Sequence, residues 1–194
     1  RLLLQWSKDS GINLIVDESF LDFADDEESL LSEQMLNDNQ NLYVVKSISK
    51  SYGVPGLRIG ILASGNTDMI RRLKKNLSIW NINSMAEFFM QILDKYKNDY
   101  ADSLRKIKAE RKRFFEELCK IGCLKVYPSQ ANYFMCEILN GISSEELAAR
   151  LLRENILIKD LTGKIHNEKQ YIRIAVRTEE ENRRLVNHIL KIAK

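Results

Sequence analysis

Glycine is concentrated in one short part of this chain. Four of the eight glycines among the 194 residues lie between Gly53 and Gly65. Part of this region belongs to residues 47–57, which join two runs, residues 42–46 and 58–63, whose aliphatic and aromatic side chains are typical of strands. Their connection is at or below the dozen or so residues that a parallel crossover needs, and it shows no helical period. If the two strands are neighbours, we therefore expect them to be antiparallel.

Residues 47–58 carry the groups that could hold a phosphorylated aldehyde. Lys50 offers an amine, Ser47 and Ser49 offer hydroxyl donors, and Arg58 offers a guanidinium. An unprotonated lysine forms a Schiff base with an aldehyde, and hydroxyls and a forked cation suit a phosphate group. A single lysine in a loop is usually a surface residue. The neighbouring donors instead favour a cofactor site here.

A carboxylate follows an apolar run earlier in the chain. Residues 12–16 are predicted to form a buried strand, and Asp17 comes directly after it. A charge in such a place is costly without a partner, although taken alone Asp17 would be interpreted as a cap or a turn residue. Its position ahead of the lysine segment favours a role in the same site, whereas Glu18 is interpreted as orienting or structural.

The string Ser-x-Ser-Lys-x-x-Gly-x-x-Gly-x-Arg-x-Gly, residues 47–60, resembles the fold-type I, class I/II aminotransferases. The resemblance is strongest to the branch of histidinol-phosphate aminotransferase and threonine-phosphate decarboxylase. It implies pyridoxal 5'-phosphate as the cofactor, bound covalently by Lys50. It also implies that Asp17 pairs with the ring nitrogen and that Ser47, Ser49 and Arg58 bind the phosphate.

Phe20 departs from the family pattern at a position that the resemblance also assigns to the cofactor site. Many family members have a tyrosine there, and its hydroxyl bonds the phenolic oxygen of the cofactor. Phenylalanine has no hydroxyl and cannot make this bond. The departure leaves the reaction open between transfer of an amino group, which we expect, and decarboxylation of an amino-acid phosphate as the alternative.

The second half of the chain resembles the family's substrate-binding part. Asn132, within residues 128–134, corresponds to an asparagine near the substrate carboxylate, and Arg173 corresponds to the carboxylate-binding arginine. An arginine inside an apolar strand needs an anionic partner, which supports this assignment. Arg177 is either a second substrate cation or a helix-end ion pair with Glu180 or Glu181. Lys159 lies where relatives often have an arginine that faces the substrate.

The predicted fold is α/β: the C-terminal part of a fold-type I large domain followed by an α+β small domain. We expect residues 1–80 to form part of the large cofactor-binding domain, 81–118 an interdomain helix and 119–194 the small domain. Residues 66–121 lack glycine and proline and predict a long helix, broken if anywhere near Asn98 and Asp99. Residues 124–127, 133–138, 156–158 and 172–176 predict strands, and helices are expected to start after Ser143 and Thr178.

Composition limits the other classes of function. The net charge of +3 is small, and the basic stretches at residues 71–75 and 105–113 are expected to be solvated helix faces, not nucleic-acid contacts. No apolar run approaches a membrane span. The odd number of cysteines and the two distant histidines, His166 and His188, predict neither a complete disulfide framework nor a metal site, and favour a reducing cytoplasm.

The chain starts with Arg1 and then residues 2–6 that suggest a helix already in progress. We therefore expect a piece of a longer protein, since the family's glycine-rich phosphate loop and its ring-stacking aromatic are absent. The resemblance implies a homodimer that acts on a small-molecule amino acid or amino-acid phosphate. A piece that is inactive by itself, or that serves only as a non-catalytic association module, is the remaining alternative.

Overall fold

The structure is a computed structural model that describes residues 2–26, 28–139, 141–165 and 167–192. The chain divides into two compact units, Arg1–Leu104 and Arg105–Lys194. Each unit has its own sheet, and the strand order is β1-β2-β3 in the first and β4-β5-β7-β6 in the second. The two units are described separately.

The first unit contains a three-stranded mixed sheet. Its strands are β1 (Leu14–Asp17), β2 (Leu42–Ser47) and β3 (Gly60–Ala63). Strand β1 runs parallel to β2, and β2 runs antiparallel to β3. The antiparallel pairing expected from the short glycine-rich connection is therefore confirmed.

Strand β1 is not the fully buried strand that its sequence predicted. Its residues alternate between partly buried and exposed positions, and Ile15 is 69% exposed. Leu14 and Val16 lie on the other face, where they pack on the buried Leu42 and Val44. An unbroken apolar run does not show by itself which face of a strand is covered.

Helices α1 to α5 belong to the first unit, and α6 begins in it. Their bounds are Leu2–Asp9 for α1, Glu33–Asp38 for α2, Ile48–Ser51 for α3, Thr67–Lys75 for α4, Ser84–Ile92 for α5 and Lys97–Cys119 for α6.

The helical region is not one long helix. Asn83 caps α5, because its side chain accepts a hydrogen bond from the Ala86 amide, and a 3₁₀ turn at Leu93–Tyr96 separates α5 from α6. The expected break at Asn98 and Asp99 is wrong. Both residues lie in the first turn of α6, where the negative charge of Asp99 interacts favourably with the positive end of the helix dipole.

The second unit has a four-stranded antiparallel sheet. Its strands are β4 (Leu124–Val126), β5 (Tyr133–Ile138), β6 (Lys159–Asp160) and β7 (Gln170–Ala175). The expected strand at residues 156–158 is wrong, since β6 begins only at Lys159. Asn155 has a left-handed φ of 56°, and the Ile156 amide turns back to donate to the Leu151 carbonyl. Ile156 therefore closes the preceding helix instead of starting a strand.

The end of α6 and two further helices contribute side chains to the core of this unit. The Ser143 hydroxyl accepts a hydrogen bond from the Glu146 amide and caps α7 (Ser144–Arg153), as its sequence predicted. Helix α8 (Glu179–Ile192) buries Leu185 and Ile189. The largest fully buried side chains of this core are Phe114, Phe134, Leu118, Ile121, Leu147, Leu151, Ile172, Ile174 and Ile189.

Other features bear on the excluded classes of site. No helix in the described ranges is long and apolar enough to cross a membrane. Cys119, Cys123 and Cys136 are free thiols, and burial raises the pKa of Cys136 to about 12. Among the described residues no group of histidine, cysteine and acidic side chains could hold a metal ion. His166 lies outside the described residues.

Candidate functional site

Lys50 lies on a short turn at the end of a central strand. Strand β2 ends at Ser47, and α3 begins at the next residue. Gly53 follows with a φ of +67°, a left-handed conformation that glycine adopts without steric cost. At Gly60, a side-chain carbon would come within 3.0 Å of the Lys46 carbonyl oxygen. The two glycines therefore let the chain reverse tightly beside Lys50.

The Lys50 amine lies over an aromatic ring. Its Nζ is 4.2 Å from the centroid of the Phe20 ring, within the range of a cation–π contact. The side chain is exposed. Phe20 thus provides a surface against which the amine lies, although it cannot donate a hydrogen bond.

Asp17 lies near the same amine. It is the last residue of β1 and is exposed. Its pKa is lowered chiefly by hydrogen bonds from the Ser19 side chain and the Ser19 amide, with a smaller contribution from the positive charge of Lys50. The carboxylate is therefore kept ionised on the exposed side of the sheet.

Ser19 is a site residue that the sequence did not indicate. It is 5% exposed, its amide donates to Asp17 Oδ1 at 2.9 Å, and its Oγ accepts from the Ser47 amide at 2.9 Å. Ser19 therefore connects the carboxylate at the end of β1 to the lysine turn at the end of β2. In the sequence Ser19 stands between Glu18 and Phe20, and nothing in this pattern indicates that it connects the two segments.

Ser47 and Arg58 line one open groove of about 430 Å³. The side chain of Ser47 does not cap α3, and Arg58 Nη1 donates to the Pro55 carbonyl at 3.3 Å. Arg58 adopts a left-handed backbone conformation, with φ 55° and ψ 46°. Such strain in a residue other than glycine is often found at functional sites. The groove presents a hydroxyl and a guanidinium, which suit an anionic group.

The phosphate role predicted for Ser49 stays a prediction; Ser49 lines the same groove as Ser47 and Arg58, and its hydroxyl also makes internal hydrogen bonds. Ser49 is 4% exposed, its hydroxyl donates to the Ile59 carbonyl at 3.2 Å, and it accepts from the Ile59 amide at 3.2 Å. Its one hydroxyl hydrogen is therefore already used. Through these two bonds Ser49 fixes the main chain next to Arg58.

Glu18 has the structural role that was expected of it. It is buried, and its carboxylate accepts hydrogen bonds of 2.7 Å from the Ser29 hydroxyl and the Leu30 amide. It therefore fixes a neighbouring loop and does not face the groove.

In the second unit, two cations face each other across neighbouring strands. Lys159 of β6 and Arg173 of β7 are register partners, and Met135 of β5 continues the row. Both cations are exposed, and the Arg173 guanidinium lies 5.0 Å from the Tyr133 ring centroid. Among the described residues no carboxylate lies within salt-bridge distance of either cation. Like charges placed directly opposite each other are unfavourable, so an anion bound there would relieve the repulsion.

Arg173 was expected to need an anionic partner because it would lie inside an apolar strand, and this reason is wrong. The arginine is not buried inside an apolar strand. From Ile172 to Ala175 the residues of β7 alternate between buried and exposed positions, and Arg173 is exposed. Arg173 lies opposite the exposed Lys159, and this pairing, not burial, is the reason to expect an anion there. Asn132, also partly exposed, accepts a hydrogen bond from the Val176 amide through its main-chain carbonyl.

Arg177 forms the helix-end ion pair that was one of its two interpretations. Its Nε and Nη2 both donate to Glu181 Oε1, at 2.9 and 2.7 Å. These hydrogen bonds, followed by those from Thr178, lower the pKa of Glu181 to about 2. The guanidinium is thus occupied by its neighbour on α8.

Comparison with known proteins decides the family. Residues 1–189 match the family described as aminotransferase class I and II. The chain belongs to this family. It is 36% identical over 188 residues to an L-serine phosphate decarboxylase of Campylobacter jejuni, covering 94% of this chain and 48% of that protein. It is 31% identical over 181 residues to threonine-phosphate decarboxylase of Salmonella typhimurium, covering 92% and 48%.

A solved structure gives the same relationship. The chain superposes on histidinol-phosphate aminotransferase from Clostridium acetobutylicum with a TM-score of 0.88 and 30% identity, covering 99% of this chain and 57% of that one. The fold is therefore the mixed α/β fold-type I of these enzymes. This chain spans about half the length of the curated relatives it matches.

The family membership and these neighbours indicate pyridoxal phosphate as the cofactor. The described residues fit it. An amine, a carboxylate and a groove with a hydroxyl and a guanidinium lie on adjoining turns of the first unit. These are the groups that an anionic pyridine aldehyde requires.

Proposed function

We propose that the natural polypeptide containing this sequence uses pyridoxal phosphate to act on an amino-acid phosphate, with decarboxylation as its leading reaction. The observation that carries this proposal is that Lys159 and Arg173 lie directly opposite each other on neighbouring strands. Two adjacent cations suit a substrate with two anionic groups, a carboxylate and a phosphate. Relatives named as serine- and threonine-phosphate decarboxylases support the same substrate class.

Each cofactor-binding residue has a proposed role. Lys50 would bind the aldehyde and afterwards hold or move a proton. Ser47 and Arg58 would bind the phosphate, and Asp17 would keep the ring nitrogen protonated. When bound, the cofactor supplies an electron sink for the bonds at the substrate α-carbon. Phe20 would lie against the lysine without bonding the phenolic oxygen.

On the substrate side, Arg173 would bind the α-carboxylate through its planar fork of donors. Lys159 would bind the phosphate as a compact point charge. Asn132 is proposed to lie near the carboxylate, as the family resemblance implies. Arg177 is left out of this set because Glu181 already pairs with it.

Transfer of an amino group to a 2-oxo acid is the second candidate. The similarity to histidinol-phosphate aminotransferase favours it. The two reactions differ in where Lys50 acts: in transfer it would move a proton between two carbon atoms, whereas in decarboxylation it would deliver one after carbon dioxide leaves.

The remaining features of the intact protein are also proposals. We propose that residues 1–80 form part of a large cofactor-binding domain, 81–118 an interdomain helical segment and 119–194 a small domain. A cytoplasmic homodimer is proposed from the family resemblance.

A substrate comparison tests the proposed function. The natural polypeptide is loaded with pyridoxal phosphate and given O-phosphoserine, O-phosphothreonine, serine or threonine, with and without 2-oxoglutarate. Carbon dioxide and newly formed 2-oxo acids are measured together. We expect carbon dioxide release from a phosphorylated substrate without need for 2-oxoglutarate; formation of glutamate without carbon dioxide would instead select the transferase.

Lys159→Met provides the sharper form of this test. Loss of a charged hydrogen bond to phosphate should raise KM for the phosphorylated substrate about 10- to 100-fold. Lys125→Met is the matched control, since Lys125 is an exposed lysine of the same sheet. Equal KM values in Lys159→Met and the control would exclude Lys159 from phosphate binding.

A further inference from the structure

A carboxylate outside the proposed cofactor contacts connects both ends of the lysine turn. Asp22 lies in a 3₁₀ turn, Leu21–Phe23, that directly follows Phe20. Its Oδ1 accepts from Lys46 Nζ at 2.5 Å, and its Oδ2 accepts from the Tyr100 hydroxyl at 2.8 Å. One carboxylate thus joins strand β2, helix α6 and the segment that carries Phe20.

The Lys46–Asp22 pair is shielded from solvent. The two side chains are 16% and 15% exposed. Burial alone would raise the pKa of Asp22, but the hydrogen bonds from its neighbours, led by that of Lys46, outweigh it and lower the pKa. A charge-assisted hydrogen bond of this kind is shorter and stronger than one between neutral groups. It fixes the strand four residues before Lys50.

The Tyr100 side of the network reaches the other end of the turn. The Tyr100 ring stacks on the Tyr52 ring, with centroids 3.9 Å apart and planes 5° apart. Tyr52 follows α3 directly, two residues after Lys50, and also meets Phe89 edge-on at 6.1 Å. Asp22 is therefore connected to the chain on both sides of Lys50.

We propose that Asp22 is a positioning residue that, through Lys46 and Tyr100, holds the Lys50 amine against Phe20. The inference rests on the proposed cofactor role of Lys50. Asp22 need not touch the cofactor in this role. By fixing both ends of α3 and the adjoining Phe20 segment, it limits the directions that the amine can take, and such pre-orientation makes a nucleophile more effective.

Two variants test the proposal on the natural polypeptide. Asp22→Asn removes the charge that pairs with Lys46. Tyr100→Phe removes only the hydroxyl donated to Asp22 and keeps the ring that stacks on Tyr52, so it decides the question if Asp22→Asn fails to fold. Asp68→Asn is the matched control, since it neutralises an exposed acid paired with Arg71 in the same unit.

Two readouts separate positioning from binding. The rate of covalent capture of pyridoxal phosphate is measured by borohydride reduction and peptide mass spectrometry at Lys50. Affinity without covalent bonding is measured with pyridoxamine phosphate, which has no aldehyde. We expect capture to slow about tenfold or more in both variants. Affinity for pyridoxamine phosphate should change by less than about twofold, because Ser47 and Arg58 keep the phosphate contacts.

A third readout needs no cofactor. Reductive methylation with formaldehyde and cyanoborohydride is followed at Lys50 relative to Lys8, an exposed lysine hydrogen-bonded to the Asp38 carbonyl. If the amine leaves the Phe20 face, its cation–π contact is lost and its methylation should rise about threefold. The control Asp68→Asn should match the unaltered protein in all three readouts.

The outcomes are separable. Unchanged capture and methylation in Tyr100→Phe and in folded Asp22→Asn would overturn the positioning role. A parallel fall in capture and pyridoxamine phosphate affinity that follows thermal unfolding would also overturn it, since Asp22 would then only stabilise the fold. Absence of capture at Lys50 in the unaltered protein would instead contradict the proposed function, and methylation would still test Asp22.

Discussion

The Ser47 amide donates a hydrogen bond of 2.9 Å to the Oγ of Ser19. This one bond joins two segments that lie 28 positions apart in the chain. Ser19 also donates its own amide to Asp17, so the proposed phosphate-binding turn and the proposed ring-nitrogen acid share a support. Their relative placement in the first unit therefore depends on Ser19, which also lines the groove formed by Ser47 and Arg58.

Replacing Ser19 should remove hydrogen bonds from both Ser47 and Asp17. In Ser19→Ala the Ser47 amide loses its acceptor, which should lower the free energy of unfolding by about 1 kcal/mol. The pKa of Asp17 should rise toward its ordinary range, because the Ser19 side chain is the largest cause of its lowering. Urea unfolding measures the first effect and an NMR titration of the Asp17 carboxyl measures the second.

Ser103→Ala is a suitable comparison for Ser19→Ala. The Ser103 hydroxyl donates to the Asp99 carbonyl four residues earlier in an exposed helix, so its removal should change stability little. An unchanged Asp17 pKa in Ser19→Ala would show that the serine does not support the carboxylate.

The Arg58→Gly protein should be more stable than the unaltered protein, and it should bind pyridoxal phosphate less tightly. Its left-handed conformation costs about 1–2 kcal/mol for a residue with a side chain, whereas the extra backbone entropy of glycine costs about 0.5–1 kcal/mol. Arg58→Gly should therefore be more stable by up to about 1 kcal/mol in urea. Its affinity for pyridoxal phosphate should fall about tenfold or more, because the guanidinium is lost.

Asn155→Gly controls for the backbone effect. Asn155 has nearly the same φ, 56°, but asparagine tolerates this conformation better, so the gain in stability should be smaller. Cofactor affinity should not change. A less stable Arg58→Gly protein would mean that the arginine side chain makes stabilising contacts that outweigh the strain.

The ion pair between Arg177 and Glu181 predicts a pH dependence of stability. The pKa of Glu181 is lowered from its ordinary value of 4.5 to about 2 in the folded chain. Its contribution is therefore present above the ordinary value and lost as pH falls toward about 2. Because both side chains are substantially exposed, Glu181→Gln should lower the free energy of unfolding by less than about 1 kcal/mol at neutral pH.

The measurement is urea unfolding of Glu181→Gln and of Glu180→Gln from pH 2 to pH 7. Glu180→Gln makes the same chemical change one position away. The difference between the two variants should shrink as the pH approaches 2. A difference that persists at low pH would assign the effect to something other than the carboxylate charge.

Local signals allowed much of the fold to be predicted. The short connection between residues 47 and 60 fixed the antiparallel pairing of β2 and β3, and Ser143 marked the start of α7. The spacing of Lys50 and Arg58 identified the lysine turn. In each case the determining interactions are close in sequence, so composition and spacing carry the information.

Features that depend on distant partners were missed or misjudged. Ser19 bridges two segments, and Arg173 lies on an exposed face opposite Lys159 instead of in a buried strand. Ser49 also exchanges hydrogen bonds with Ile59, which no spacing rule predicts. The run at residues 156–158 has strand composition but is used to close α7. At these positions tertiary contacts, and not local propensity, determine the conformation and the environment of the residue.

Covalent capture of the cofactor by Lys50 tests the central claim most directly. The natural polypeptide is incubated with pyridoxal phosphate, reduced with borohydride and digested for peptide mass spectrometry, with Lys50→Ala and Lys8→Ala in parallel. We expect the added mass on the peptide that contains Lys50, an absorbance band at about 420 nm before reduction, and loss of both only in Lys50→Ala. Modification of other lysines alone, or none at all, would contradict the account.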